Sequence, residues 1–155
     1  MTYTSSVPVA VTAIVAAFRT APWLGGTGVP VRDGPQLTAG TDPEAVAVGY
    51  TGDQAEDVVT GAASPEGMGG RPDRERYAVT CAVAVIDPGG DIAAARTRAY
   101  VLHAGCGQAI VADPKLGGAV LRASLGIGSL QQQQTSGGAL ARVVFPVNID
   151  AFTSR

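Results

Sequence analysis

Residues 74–113 read RERYAVTCAVAVIDPGGDIAAARTRAYVLHAGCGQAIVAD, and here the longest strand pattern in the chain meets the longest helix pattern across one short turn. From Tyr77, alternate residues Tyr77, Val79, Cys81, Val83 and Val85 are bulky and apolar, while Arg76, Ala78, Thr80, Ala82 and Ala84 are small or polar. That period of two predicts a strand over Arg76 to Ile86, buried mainly on one face. Asp87-Pro88-Gly89-Gly90 ends it. Asp91 is placed to cap a helix, because its carboxylate can accept a free N–H of the first turn at the positive end of the helix dipole. Ile92, Ala95, Ala99, Leu102, Cys106 and Ile110 then recur at intervals of three and four, predicting a helix to about Ala112 whose apolar stripe covers the bulky face of the strand. Gly105 and Gly107 each weaken that helix by roughly 1 kcal/mol relative to alanine, so burial has to hold its second half. Pro114 marks its end.

Working outward, Val7 to Ala21 predicts a first helix with Ser5 or Ser6 as cap, Pro8 in the first turn, and Val11, Ile14, Val15 and Phe18 turned inward. Pro22 and Gly25-Gly26 end it, with Trp23 pinning the exit against the core or meeting another subunit. Gly28 to Asp33 and Ala45 to Tyr50 read as short strands. From Thr51 to Asp73 glycines, prolines and charges succeed one another without periodicity, which predicts a long loop or an extended hairpin arm. Beyond the central unit, Leu121, Ala123, Leu125 and Ile127 alternate with Arg122, Ser124, Gly126 and Gly128. They predict one strand of a C-terminal hairpin that Gln131 to Gly138 joins to a second strand, Ala139 to Ile149. Pro146 within that strand requires an edge, a bulge or an N–H turned away from its partner. The fold class is therefore α+β. We expect about five strands in a mixed or antiparallel sheet, with the N-terminal and central helices packed on one face. The small and polar opposite face either meets water or lets another subunit approach closely.

A chain of 155 residues, 46% hydrophobic with a formal charge of −2, supports one core and is expected to form a single domain over residues 1–155 with its long arm at about 51–73. No apolar run reaches the roughly 20 residues of a membrane span, and no leader pattern opens the sequence, so a cytoplasmic site of assembly is expected. The eleven Lys and Arg residues are scattered, which speaks against a dedicated nucleic-acid binder. Cys81 and Cys106 fall on the apolar faces of strand and helix and read as two buried thiols. His103 is the only histidine and has no acidic residue one turn away to orient it. Two cysteines and a histidine lack the fourth ligand and paired spacing of a zinc site, and none of the glycine pairs has a phosphate-loop or dinucleotide arrangement. Asp53, Glu56 and Asp57 form an acidic group that reads as charged surface rather than a cation site. We therefore expect no catalytic residue, cofactor or metal. The competing class is a small-molecule-binding domain that uses a pocket between helix and sheet, with Cys106 or His103 as its reactive group.

The order of several segments carries a further signal. After the N-terminal helix come VRDGP (Val31 to Pro35), AVAVGY (Ala45 to Tyr50), RYAVTCAVAV (Arg76 to Val85), GDIAAARTRAYVL (Gly90 to Leu102), DPKLGGAVL (Asp113 to Leu121) and QQQTSGGALARVVFPV (Gln132 to Val147). This succession spans nearly the whole chain and resembles the tail terminator proteins of long-tailed double-stranded DNA phages and prophages. The resemblance implies a non-enzymatic virion protein that forms a ring, usually of six subunits. Such a ring caps the tail tube, ends its polymerisation and provides part of the interface that joins tail to head. Its implied partners are further copies of itself, the tail tube protein and a head-completion or neck protein, with DNA passing through the lumen without base recognition and no membrane involved. Its implied place is the head-proximal end of the virion tail. A head-completion or neck protein and a tail-tube ring protein are the rivals within the same biology. Under this resemblance Asp53, Glu56, Asp57, Val58, Met68 and Arg71 of the arm, with Gln132, Gln133 and Gln134, become the candidate contacts to a neighbouring subunit or the tail tube.

Overall fold

The structure, a computed structural model of the chain, describes residues 4–24, 27–35, 42–53, 56–65 and 71–153. Among these residues two helices, α1 (Val7–Thr20) and α2 (Ile92–Ala112), accompany seven strands: β1 (Val31–Asp33), β2 (Glu44–Val48), β3 (Val59–Ser64), β4 (Arg74–Asp87), β5 (Arg122–Leu125), β6 (Ser129–Thr135) and β7 (Gly138–Phe152). The two long strands form the spine, pairing antiparallel without a break from Arg74 opposite Phe152 to Asp87 opposite Ala139. Each shares its outer side between two shorter strands. Along β4 these are β2, opposite residues 81–85, and β3, opposite residues 74–79; along β7 they are β5 and β6. β1 adds the one parallel pair, on β2, so the sheet is mixed.

The period-two pattern of β4 does what it predicts. Val79, Cys81 and Val83 are fully buried and Tyr77 and Val85 nearly so, as are Val143, Phe145 and Val147 on β7, and these residues join the inward faces of both helices in one core. Both helices lie on this side of the sheet. Asp91 caps α2 by accepting the Ala94 N–H at 3.1 Å, and Ala95, Ala99, Leu102, Cys106 and Ile110 form the expected buried stripe. Gly105 lies in that stripe because the chain leaving α1 crosses it: a Cβ there would meet the Leu24 side chain and the Trp23 carbonyl, each at 3.1 Å. Trp23 closes the crossing by donating its indole N–H to the Gly105 carbonyl at 2.8 Å. In α1, Ile14, Val15 and Phe18 turn inward as expected, joined by Ala10.

Three expectations need correction. The sheet has seven strands rather than about five, because two segments without apolar alternation are edge strands. VTGAAS forms β3 and pairs with β4, the hairpin arm of the two alternatives expected over 51–73, and Gln131 to Thr135, expected to join the two strands, lie within β6. The turn itself is only Ser136-Gly137. The single alternating strand expected over Leu121 to Ile127 is interrupted by a bulge. Between Leu125 opposite Val147 and Ser129 opposite Val144, four steps on the outer strand cover three on β7, which inserts one residue and reverses the facing of the residues beyond it. Ile127, expected inside, is consequently 98% exposed. Gly126 and Gly128 permit the bulge, since a Cβ at either would lie 2.6 Å from the Pro146 ring or 2.5 Å from the Val144 carbonyl. Pro146 sits at this bulge, accepting from the Gly126 N–H at 2.8 Å with no N–H to return. Finally, Ser6 does not cap α1 with its side chain, which is engaged elsewhere.

Candidate assembly surface

The hydroxyl of Ser6 donates to Glu75 Oε2 and lies 2.9 Å from the Tyr77 phenol, while the Ser6 N–H reaches the same carboxylate oxygen at 2.8 Å. Glu75 shares the inward phase of Tyr77 and Val79 and is buried at the N-terminus of α1, where the helix dipole favours a negative charge. Desolvation pushes its carboxyl up, but the bonds from Ser6 and Ser5 outweigh that and hold it below its ordinary value. At the other end of the helix layer, Arg98 makes two 2.8 Å bonds to Glu44, fastening α2 to β2. These contacts fix the helices, and among the described residues no helix covers the opposite side of the sheet.

On that open side Arg74 holds Asp150 in two bonds, at 2.8 and 2.6 Å, which keep the Asp150 carboxyl below its usual range with help from Arg76, 3.8 Å away. Arg76 and Arg122 stand on either side of Asp150 in the ladder, at the rim of a 370 Å³ depression that also includes Thr60, Ser124 and Asn148. The sequence did not single out this group. Its signal was the phase of Arg74 and Arg76, which continue the polar side of β4 outward from Ala78 and Thr80. Between β2 and β3 the chain leaves the edge of β4 and returns: Gly49 N–H bonds to the Thr80 carbonyl at 2.8 Å, and Thr80 N–H bonds to the Val58 carbonyl at 2.7 Å. The excursion reaches over the open side, because a Cβ on Gly52 would lie 2.8 Å from the Arg142 guanidinium.

This excursion carries Asp53, Glu56 and Asp57, all exposed. Asp53 N–H bonds to the Thr51 hydroxyl at 3.1 Å and its carbonyl accepts from Glu56 N–H at 3.4 Å. Val58 is half-buried at the return to the edge, and Arg71 is exposed just ahead of β4. Met68 lies outside the described residues. The glutamines divide by phase. Gln132 accepts from Arg96 at 2.9 Å and Gln134 donates to the Gly90 carbonyl at 3.0 Å, both against the start of α2, whereas Gln133 is exposed on the open side. The sequence-derived contacts therefore form two groups on opposite edges of the sheet.

No family model matches the chain, and no curated protein does. Among solved structures, a chain from the virion of a native gene transfer agent (GTA) particle is similar to it. The similarity covers 93% of this chain and 94% of that one, at 12% identity and a TM-score of 0.49.

The competing small-molecule reading rests on Cys106 and His103. Cys81 and Cys106 are free and fully buried, and burial pushes the Cys81 thiol up to about 12 and raises that of Cys106 as well. His103 packs edge-on against Phe145, with ring centroids 4.8 Å apart; burial lowers its pKa, and Nε2 has no hydrogen-bond partner among the described residues. Among those residues no three His, Cys, Asp or Glu gather where a metal ion would sit, and no helix is long and apolar enough to cross a membrane. A 720 Å³ groove between the second half of α2 and β5 is lined mainly by Ala, Ile, Val and Leu side chains, with Arg122, Ser124 and Gln108 at its margin.

Proposed function

We infer that this chain is a structural virion protein of the tail terminator kind, a non-enzymatic subunit that caps the tail tube, stops its polymerisation and contributes to the interface with the head. The observation that carries this reading is the sheet itself. Its helices cover one side only, and among the described residues strands with no further strand paired to them bound it on both edges. A subunit built this way can meet copies of itself through both edges at once. Head-to-tail contacts between identical subunits must close into a ring or run on as a filament, and a cap requires closure. The resemblance of the segment order to that of tail terminators supports the same reading, as do the buried, high-pKa thiols, which are poorly suited to nucleophilic chemistry. The partners are then further copies in a ring, most simply of six, the tail tube protein, and a head-completion or neck protein. DNA would cross the lumen without base recognition.

Light scattering over a concentration series, followed by electron microscopy with purified tail tubes, tests this. Rings or discs seated on tube ends, with tubes that cease to lengthen, are expected. A protein that stays monomeric at high concentration and never caps tubes overturns the function.

A further inference from the structure

The sheet has four short strands on its outer sides, and they are not equally available. β1 carries Arg32 and Asp33, and charged residues are a common defence of an exposed edge. β5 is already engaged: its Ala123 N–H, turned away from β7, bonds to the Pro114 carbonyl at 2.6 Å. β3 and β6 differ from both. VTGAAS and SLQQQQT contain neither charge nor proline, almost every residue is exposed, and among the described residues no strand lies against the outer side of either.

The hydrogen-bond alternation shows what each edge offers. Thr80 N–H bonds to the Val58 carbonyl, so residues 60, 62 and 64 repeat that inward orientation, and the N–H groups of Val59, Gly61 and Ala63 point outward. In β6, counting from the two-residue turn between Thr135 and Gly138, those of Leu130, Gln132 and Gln134 point outward. The two edges lie on opposite sides of the sheet and run in opposite directions. β3 is antiparallel to β4, β4 to β7, and β7 to β6. A second copy in the same orientation therefore brings its β3 antiparallel to this β6, with both ladders in the same phase of donors and acceptors.

We propose that β3 of one copy pairs antiparallel with β6 of the next, so that the sheet continues from subunit to subunit. The occupant of each edge is a second copy of this chain because both complementary edges belong to it. Each copy then uses β6 against one neighbour and β3 against the other. The contact is also displaced along the strands, since β3 flanks the start of β4 while β6 flanks the end of the spine. Successive copies step along the strand direction, as strands do in a closed, tilted barrel. Ile127, turned out to solvent at the bulge that precedes β6, lies beside this seam. The proposal rests on the self-assembly part of the function above and specifies which surfaces meet.

The test uses full-length protein carrying Ala62→Cys in β3 or Gln133→Cys in β6, both exposed and both on the open side of the sheet, with a short bis-maleimide as cross-linker. The native thiols are buried and do not compete. In concentrated solution a mixture of the two single variants is expected to give dimers, the double variant a ladder of closed and open oligomers, and neither single variant alone a product. Dimers from Gln133→Cys alone would mean that β6 pairs with itself, and no product from the mixture would mean that the edges do not meet; either overturns the proposal. Separately, Ala63→Pro removes one outward N–H and is expected to raise the concentration for half-assembly by up to about tenfold while melting stays unchanged. Unaltered assembly by a folded Ala63→Pro protein counts against the seam. Capping of tubes with cross-links elsewhere defeats the seam and leaves the function standing, whereas correct cross-links without capping do the reverse.

Discussion

Replacing Ser6 with alanine removes the hydroxyl that links Glu75 to Tyr77 and leaves the N–H bond to Glu75 in place. The lost bond has an ionised acceptor, a class whose net contribution is about 1.5–3 kcal/mol, and the buried Tyr77 side chain loses its hydroxyl partner as well. We expect a destabilisation of about 2–3 kcal/mol, which for a domain of this size lowers the melting temperature by roughly 5–10 °C. Chemical denaturation with an unchanged slope is the appropriate assay. The pH dependence adds a second constraint. Glu75 is held below its ordinary pKa, so the stability it contributes is present above the ordinary carboxylate value and disappears as pH falls through the lower, folded-state value. The Ser6 hydroxyl is one of the groups that lower it, so the gap between the native protein and Ser6→Ala should shrink in acid. A loss below about 0.5 kcal/mol at neutral pH, or a gap that widens as pH falls, would refute the reading that this network anchors α1.

Gly138 has φ of 128°, and a Cβ there would sit 2.1 Å from the Asp87 carbonyl, so Gly138→Ala should cost about 3 kcal/mol or more in denaturant melts; a nearly neutral effect would show that the two turns at this end of the spine are loosely apposed. Val83→Asp places an unpaired charge among fully buried side chains and should abolish cooperative folding, so a soluble variant with a sharp melting transition would contradict the placement of β4. Cys81 and Cys106 should react with a thiol reagent only as fast as the protein opens, so rapid labelling of native protein would favour the reactive-thiol alternative.

The sequence is legible where burial is strong. β4 and α2 face the core, so their apolar residues must keep the period of their backbone, and of the buried stripe from Ala95 to Ile110 only Gly105 and Ala109 were not read from the sequence. β3 was legible only as one of two alternatives, a loop or a hairpin arm, because an edge strand with both sides largely exposed has no reason to alternate, and VTGAAS does not. The full extent of β6 escaped for the same reason. The Leu121 to Ile127 pattern misled because a bulge changes the facing of residues without changing their order, and only the close approach of Gly126 and Gly128 to β7 reveals it. Glu75 was in plain view, since a carboxylate in phase with Tyr77 and Val79 should lie inside, but its partner is Ser6, 69 residues away in sequence. The candidate assembly surface was legible only as a set of positions in the arm and in the glutamine run. Their division between two edges depends on strand pairing, which no local pattern encodes.

Among the described residues β7 alone joins β5 and β6 to the rest of the sheet, and it is the last of their seven strands in chain order. During synthesis the other six leave the ribosome before the one that unites them. β5 and β6 have no partner until it arrives, and the β4 spine must wait to pair residues as distant as Arg74 and Phe152. Contacts of such long sequence separation slow folding. A chain stopped before Gly138 lacks the strand that brings β3 and β6 into one sheet. Under the seam proposed above, only subunits made through Phe152 would present both edges together, and an unfinished chain would be left out of the assembly.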